Sequence, residues 1–322
     1  MYVTGDHAPH AHRPVDADTA RSTGRRAPRA PLRLARVITD PAGATGSGGR
    51  YSPALADYLA DLARLHGLRR GPDDFAGVAR TTFTDLVRPL VTEVADAPVD
   101  LIVLAHVTPD AEPGWPASFL TGALPGEPLA FAVADQGVAA PFTALRVAAA
   151  YARADRFERV LVVLLDQGTF LTAGPPPQVG AGLVALVLDR GGTLGEMSTR
   201  VVAGVPPPRA RSVLASSLAD FAGTLVTGAA LSPPDGPQGT APGPVGLPGS
   251  GLGPVGLPET APGPVGLPGS GLGPVELPGT GLWRELTDRL AGGGPVALAD
   301  YDPAARCLGI CVVAPPDAEP AS

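Results

Sequence analysis

The side chains that could do chemistry in this chain are few, and the missing types matter as much as those present. All 24 basic residues are arginine, and neither lysine nor asparagine occurs among the 322 residues. The five histidines stand at 7, 10, 12, 66 and 106, and the two cysteines at 307 and 311. A lysine Schiff base, a phosphate-loop lysine and any catalytic group oriented by asparagine are therefore excluded. Cys307 and Cys311 cannot form a disulfide framework. Four residues apart on a strand they share one face, where buried, inert thiols are the simpler reading. No set of side chains has metal-ligand spacing, so no metal is expected. What remains is His106, at the end of an apolar run, and the pair Asp135 and Gln136 in a turn before a small-residue helix. Asp135 reads either as a general base or as a cap for that helix. His106 reads either as a catalyst or as a satisfied structural histidine, and Thr108 and Asp110 as loop formers.

The elements that must position these residues alternate between strand and helix. The run "PLRLARVIT" (31–39) is the first predicted strand, and Ser52 with Pro53 opens a helix as N-cap and N1. Residues 72–98 read as one long helix that Pro89 kinks. "VDLIVLAHV" (99–107) is apolar throughout, as a strand buried on both faces must be. A short helix follows, then strand "LAFAVA", a helix over 139–154, and strands "RVLVVLLD" and "GAGLVALVLDR". Beyond 193, "MSTRVVAGV" reads as a strand and "ARSVLASSLADFAGTLVTGAAL" as helical. A helix, "LWRELTDRLAG", and strands "GPVALADYD" and "CLGICVVAP" close the chain. The pattern predicts an α/β fold with a mainly parallel, helix-covered sheet.

Composition bounds the partners. A net charge of −7 argues against nucleic acid, which needs a basic excess. No run of 18 apolar residues predicts a membrane span. The first 30 residues lack an apolar signal core and read as a disordered tail, which with the sparse cysteines suggests a cytoplasmic protein. Six arginines between 21 and 36 read either as solvated or as a patch for an acidic partner such as a carrier protein. "TAPGPVGLPGSGLGPVGLPE" (240–259) recurs as "TAPGPVGLPGSGLGPVELPG" (260–279). With little charge and no regular period, 236–280 reads as a disordered Gly/Pro linker.

The ordered series of stretches resembles the thiolase-fold condensing enzymes, particularly ketoacyl-ACP synthase III. "LIVLAHVTPD" (101–110) is similar to the strand and loop before the nucleophile, and "QGVAAPFTALRVAAAYA" (136–152) to the nucleophile turn and its helix. "RFERVLVVLLDQ" (156–167), "VGAGLVALVLD" (179–189) and "GGPVALADYDPAARCLGICVV" (293–313) are similar to the strands that follow. The resemblance implies a layered αβαβα fold with a complete N-terminal half (31–192). The C-terminal half (193–235 and 281–316) is reduced.

In that family a cysteine accepts the acyl chain, aided by a histidine and an asparagine from the C-terminal half. The family spacing, seven residues from nucleophile to the leucine of "TAL", puts Val138 at the cysteine position. No histidine follows residue 106 and no asparagine exists, so all three groups are missing. Gln136 is similar to the glutamine of chain-length factors, although there it replaces the cysteine itself. The resemblance thus implies a non-condensing partner of an active ketosynthase in fatty-acid or polyketide-type assembly, as a heterodimer or homodimer. Val138, Ala139, Ala140 and Phe142 would wall the substrate tunnel. The alternative is an acyltransferase in which Asp135 or His106 activates an acceptor hydroxyl without a covalent intermediate. No cofactor is implied beyond acyl-CoA or a phosphopantetheine-linked acyl chain as ligand. A third reading is a scaffold with no pocket.

Overall fold

The computed structural model describes residues 32–41, 50–65, 67–75, 81–110, 114–153, 157–167, 181–232 and 277–315. The predicted tail, His66 and the linker up to residue 276 lie outside them. The strands are β1 (Arg33–Thr39), β2 (Leu101–His106), β3 (Leu129–Val133), β4 (Arg159–Asp166), β5 (Gly182–Asp189), β6 (Gly195–Val202), β7 (Thr224–Thr227), β8 (Val296–Asp302) and β9 (Cys307–Ala314). The helices are α1 (Pro53–Leu65), α2 (Phe83–Val87), α3 (Leu90–Val94), α4 (Pro116–Ala123), α5 (Ala140–Arg153), α6 (Ala210–Ser217) and α7 (Gly281–Leu290).

The strands join in the order β3-β2-β4-β5-β1-β6-β9-β8-β7. β2 runs parallel to β3 and β4, β5 antiparallel to β4, and only Arg33 and Leu34 of β1 pair with β6. The order contains a repeat. By chain position within each half, the first reads 3-2-4-5-1 from its free edge and the second 2-3-4-1, which among the described residues is the order of the first without its edge strand.

Side-chain alternation builds five layers from these two half-sheets. Even-numbered residues of β4 (Val160, Val162, Leu164) face a core shared with α5, α7 and the inner faces of β8 and β9. Odd-numbered ones (Leu161, Val163, Leu165) face an outer layer containing α2, α3 and α4. On the second half, Ala299, Tyr301, Leu308 and Ile310 face α6. β4 is buried along its whole length, which is why its sequence is continuously apolar.

Four sequence expectations need correction. The sheet is not mainly parallel, for five of its eight strand pairings are antiparallel. Residues 72–98 are not one helix: a 3₁₀ turn spans Pro72–Asp74, and α2 and α3 are separate. Thr82 starts a new helix by a reciprocal capping box, with Thr82 Oγ1 accepting from Asp85 N and Asp85 Oδ2 from Thr82 N, both at 3.0 Å. Pro89, with no N–H to donate, marks the break before α3. Thr82→Ala is expected to cost about 1 kcal/mol of stability, read as a lower Tm. The stretch 210–231 is only partly helical, for α6 ends at Ser217 and "TLVT" forms β7. Gly223 allows this close return, since a Cβ there would lie 2.2 Å from Pro295 O. Finally, the linker ends earlier than predicted, because residues 278–280 form a turn in which Leu277 and Thr280 are buried.

Candidate functional site

The turn between β3 and α5 is tight because two of its residues adopt left-handed backbone, Asp135 at φ 59° and Gly137 at φ 51°. Aspartate and glycine are among the few residues that take this conformation readily. A 3₁₀ turn over Gly137–Ala139 then runs into α5, whose first turn accommodates Pro141. Val138 is half-buried at this helix start, while Asp135 and Gln136 are exposed. The expected cap is not formed. The N-cap position of the 3₁₀ turn is Gln136, which makes no capping bond; its Oε1 instead accepts from Thr143 Oγ1 at 2.6 Å.

Ala139, Ala140 and Phe142 are buried, and the Phe142 ring packs 5.3 Å from Trp283 of α7. Phe142 also fills space left by Gly309, where a Cβ would lie 2.2 Å from its ring. These three side chains therefore pack within the chain's own central layer, and of the four expected tunnel residues Val138 alone keeps appreciable surface.

His106 lies on the other side of the sheet. Its neighbours Ile102 and Leu104 point into the outer layer, whereas Leu101, Val103 and Ala105 face α5. Its Nδ1 is 2.9 Å from Thr108 O, and its ring tilts against Phe83 at 5.3 Å. Thr108 and Asp110 form part of the same outer loop network: Thr108 Oγ1 accepts from Gln167 N at 2.7 Å, and Asp110 Oδ1 from Phe83 N at 2.8 Å. The sheet thus separates His106 from the turn carrying Val138.

What the turn does meet is Asp302, the last residue of β8. A Cβ on Gly137 would stand 1.7 Å from Asp302 Oδ2, so only glycine admits the carboxylate against this helix start. Asp302 Oδ1 accepts from Ala304 N and Ala305 N, both at 2.9 Å, which fixes the side chain. A negative group at a helix N-terminus is favoured by the free N–H groups and the helix dipole. The protein's own carboxylate therefore stands against this helix start, its hydrogen bonds going to Ala304 and Ala305.

The mirror contact occurs in the other half. Asp166, the last residue of β4, meets the start of α7: its Oδ2 accepts from Gly279 N at 2.7 Å, Thr280 N at 2.6 Å and Thr280 Oγ1 at 3.0 Å. Burial pushes the Asp166 carboxyl up to about 6, against the lowering effect of those bonds and of Arg284. β4 and β8 thus each end in an aspartate beside the first turn of the other half's central helix, hydrogen-bonded to it in the case of Asp166 and in close contact in the case of Asp302. Neither aspartate stood among the expected site residues. The sequence signal was the shared ending, "VLLD" and "ADYD", of two strands in equivalent places.

Both cysteines are unpaired thiols. Burial pushes Cys311 up to about 12. Cys307, half-buried beside Asp302, is raised by burial and then by that carboxylate. Neither is an activated nucleophile. Among the described residues no group of three His, Cys, Asp or Glu could hold a metal ion, and no helix is long and apolar enough to cross a membrane.

An open cleft of about 730 Å³ lies at the opposite end of the sheet, lined by Arg36, Arg159, Arg190, Asp96, Asp100 and Glu158 among others. Its charges are engaged with one another. Arg159 and Arg36 both pair with Asp96, at 2.8 and 3.0 Å, and Arg190 with Glu158 at 2.6 Å. The hydrogen bond from Arg159 holds the Asp96 carboxyl below its usual range.

No protein-family model and no curated protein matches the sequence. Solved structures do. ChlB3, described as an acyltransferase, superposes with a TM-score of 0.51 at 18% identity, over 88% of this chain and 98% of that one. The 3-oxoacyl-(acyl carrier protein) synthase III FabH from Pseudomonas aeruginosa PAO1 gives 0.50 at 13% identity, over 90% and 99%. An HMG-CoA synthase complexed with CoA gives 0.51 at 12% identity, over 88% and 82%. By its fold, this chain is thiolase-like, with five strands in the first half and four in the second among the described residues.

Proposed function

We propose that this chain is a non-condensing ketosynthase-like subunit that pairs with an active ketosynthase in fatty-acid or polyketide-type assembly. The observation that carries this reading is Asp302. Its carboxylate sits against Gly137 at the helix start where the fold would place a nucleophile and stabilise an oxyanion. Val138 supplies no nucleophile, and the fixed negative charge beside it opposes the charge that acyl transfer develops.

The adjoining surface supports a partner. β3 is an edge strand of the sheet, with Leu129 and Ala132 exposed along it. Phe131, Tyr151 and Phe157 form a ring ladder beside it, at 5.8 and 5.5 Å. An apolar open edge of this kind invites strand pairing. A partner paired there would lie next to Val138, which is how a residue without chemistry could shape a neighbour's tunnel.

The test is co-expression with an active ketosynthase of the same fold, followed by size-exclusion with light scattering. A one-to-one complex, weakened by Ala132→Lys on the β3 edge, is the expected result. A chain that ignores the ketosynthase and turns over acyl-CoA alone would replace this reading with the acyltransferase one. The role of Asp302 is checked separately by thiol alkylation. Val138→Cys is expected to react with iodoacetamide at pH 7 no faster than an ordinary thiol. Adding Asp302→Asn should accelerate it about tenfold, the effect of a thiol pKa lowered by about one unit. Equal rates in the two variants would remove the carboxylate from the argument.

A further inference from the structure

The chain enters α7 through a seat shaped for one short sequence. Leu277 is buried over Gly182, where a Cβ would come 2.4 Å from Leu277 Cδ1. Gly279 presses on the end of β4, since a Cβ there would meet Val107 Cγ2 at 2.7 Å and Asp166 Oδ1 at 3.0 Å. Thr280 is wholly buried, with its N–H and hydroxyl both on Asp166 Oδ2. Leu282 is buried beyond it. The seat therefore selects an apolar residue, then glycine, then a hydroxyl, then an apolar residue.

The same selection is met elsewhere in the sequence. The 20-residue duplication resolves into ten-residue units, and the last of them enters the seat: GPVGLPGSGL (243–252), GPVGLPETAP (253–262), GPVGLPGSGL (263–272) and GPVELPGTGL (273–282). Residues 247–252 and 267–272 read LPGSGL against the seated LPGTGL of 277–282. Serine for threonine keeps the hydroxyl that Asp166 requires. The unit 253–262 fails on two counts, with Glu259 where the seat admits only glycine and Pro262 in place of Leu282.

We propose that the end of β4 is a docking site for the hexapeptide Leu-Pro-Gly-(Ser/Thr)-Gly-Leu, and that residues 267–272 and 247–252 of the same chain are alternative occupants to 277–282. Tethering keeps the spare hexapeptides at high local concentration around the seat. When 267–272 is seated, residues 273–282 become the connector and reach up to roughly 33 Å, enough to return the chain to α7 with Trp283 and Leu286 still packed. Each exchange moves ten or more residues of chain from one side of the seat to the other, so the spacing between β7 and α7 is adjustable.

The test uses the full chain, thermal unfolding and amide hydrogen exchange. Gly279→Val evicts the resident hexapeptide, and Gly249→Val with Gly269→Val disables the spares. The spare-disabled variant is expected to melt as the wild type does. Gly279→Val should melt lower, with amides of 267–272 exchanging about tenfold more slowly than in the wild type. The triple variant should melt lower than the two effects added, and without that protection. If Gly279→Val fails to fold, or melts with the triple variant, there are no alternative occupants. A melting temperature of Gly279→Val that rises with protein concentration would assign the spare hexapeptide to a second copy, and would overturn docking within one chain.

Discussion

Phe142→Ala is expected to destabilise the protein by about 3–5 kcal/mol, the usual range for emptying a buried phenylalanine site. The ring is fully buried, contacts Trp283 at a centroid distance of 5.3 Å, and occupies the hollow that Gly309 leaves in β9. α5 and α7, which meet at this ring, contribute to the core between the half-sheets. Since domains of this kind are stable by about 5–15 kcal/mol, the variant should unfold at markedly lower urea, with an unchanged slope. Gly309→Ala tests the same contact from the other side, because its methyl must enter the ring's space. A loss under about 1 kcal/mol in Phe142→Ala would mean that α5 and α7 do not form the core's centre.

The second large effect is pH-dependent and belongs to Asp166. Its carboxyl is raised from an ordinary 3.8 to about 6 by burial. A group raised on folding contributes stability that is fully present below its unfolded value and lost as pH rises through its folded value. Two units correspond to about 3 kcal/mol, lost between about pH 4 and pH 7. Asp166→Asn does not titrate and should keep two backbone donors on its amide oxygen. Relative to the wild type, the variant should therefore gain about 2.5 kcal/mol as pH is raised from 4 to 7.5, read by urea unfolding at both values. Parallel pH profiles for the two proteins would show that burial does not raise the Asp166 carboxyl on folding. The nearby charges are Arg284 on α7 and its partner Asp40, paired at 2.7 Å. Their mutual pairing leaves the desolvation of Asp166 as the main cause.

Some of this site was legible before any fold was known. The continuous apolar run of β4 announces burial on both faces, and the small residues after Asp135 announce a helix packed closely against a sheet. One exclusion is a property of composition: a chain with no asparagine cannot build, in any conformation, the cysteine–histidine–asparagine group that the resemblance implies. The break at Thr82 was legible too, since Thr82 and Asp85 hold a capping-box spacing, but the apolar period across 83–94 masked it.

What the sequence alone determined is therefore negative chemistry and local form: which residues are missing, where strands and turns fall, and that Val138 stands at a helix start. What only the tertiary structure decided is which charges meet these positions. Asp166 and Gly279 are 113 residues apart in sequence, and Asp302 reaches Gly137 from the other half of the chain. Such contacts are set by strand order and by which face each strand turns inward. His106 shows the same rule in reverse, for one residue's step along β2 puts it on the far side of the sheet from α5. Sequence spacing carries the period of a strand, but strand order and the direction of the inner face are fixed only when both half-sheets close on the same helices.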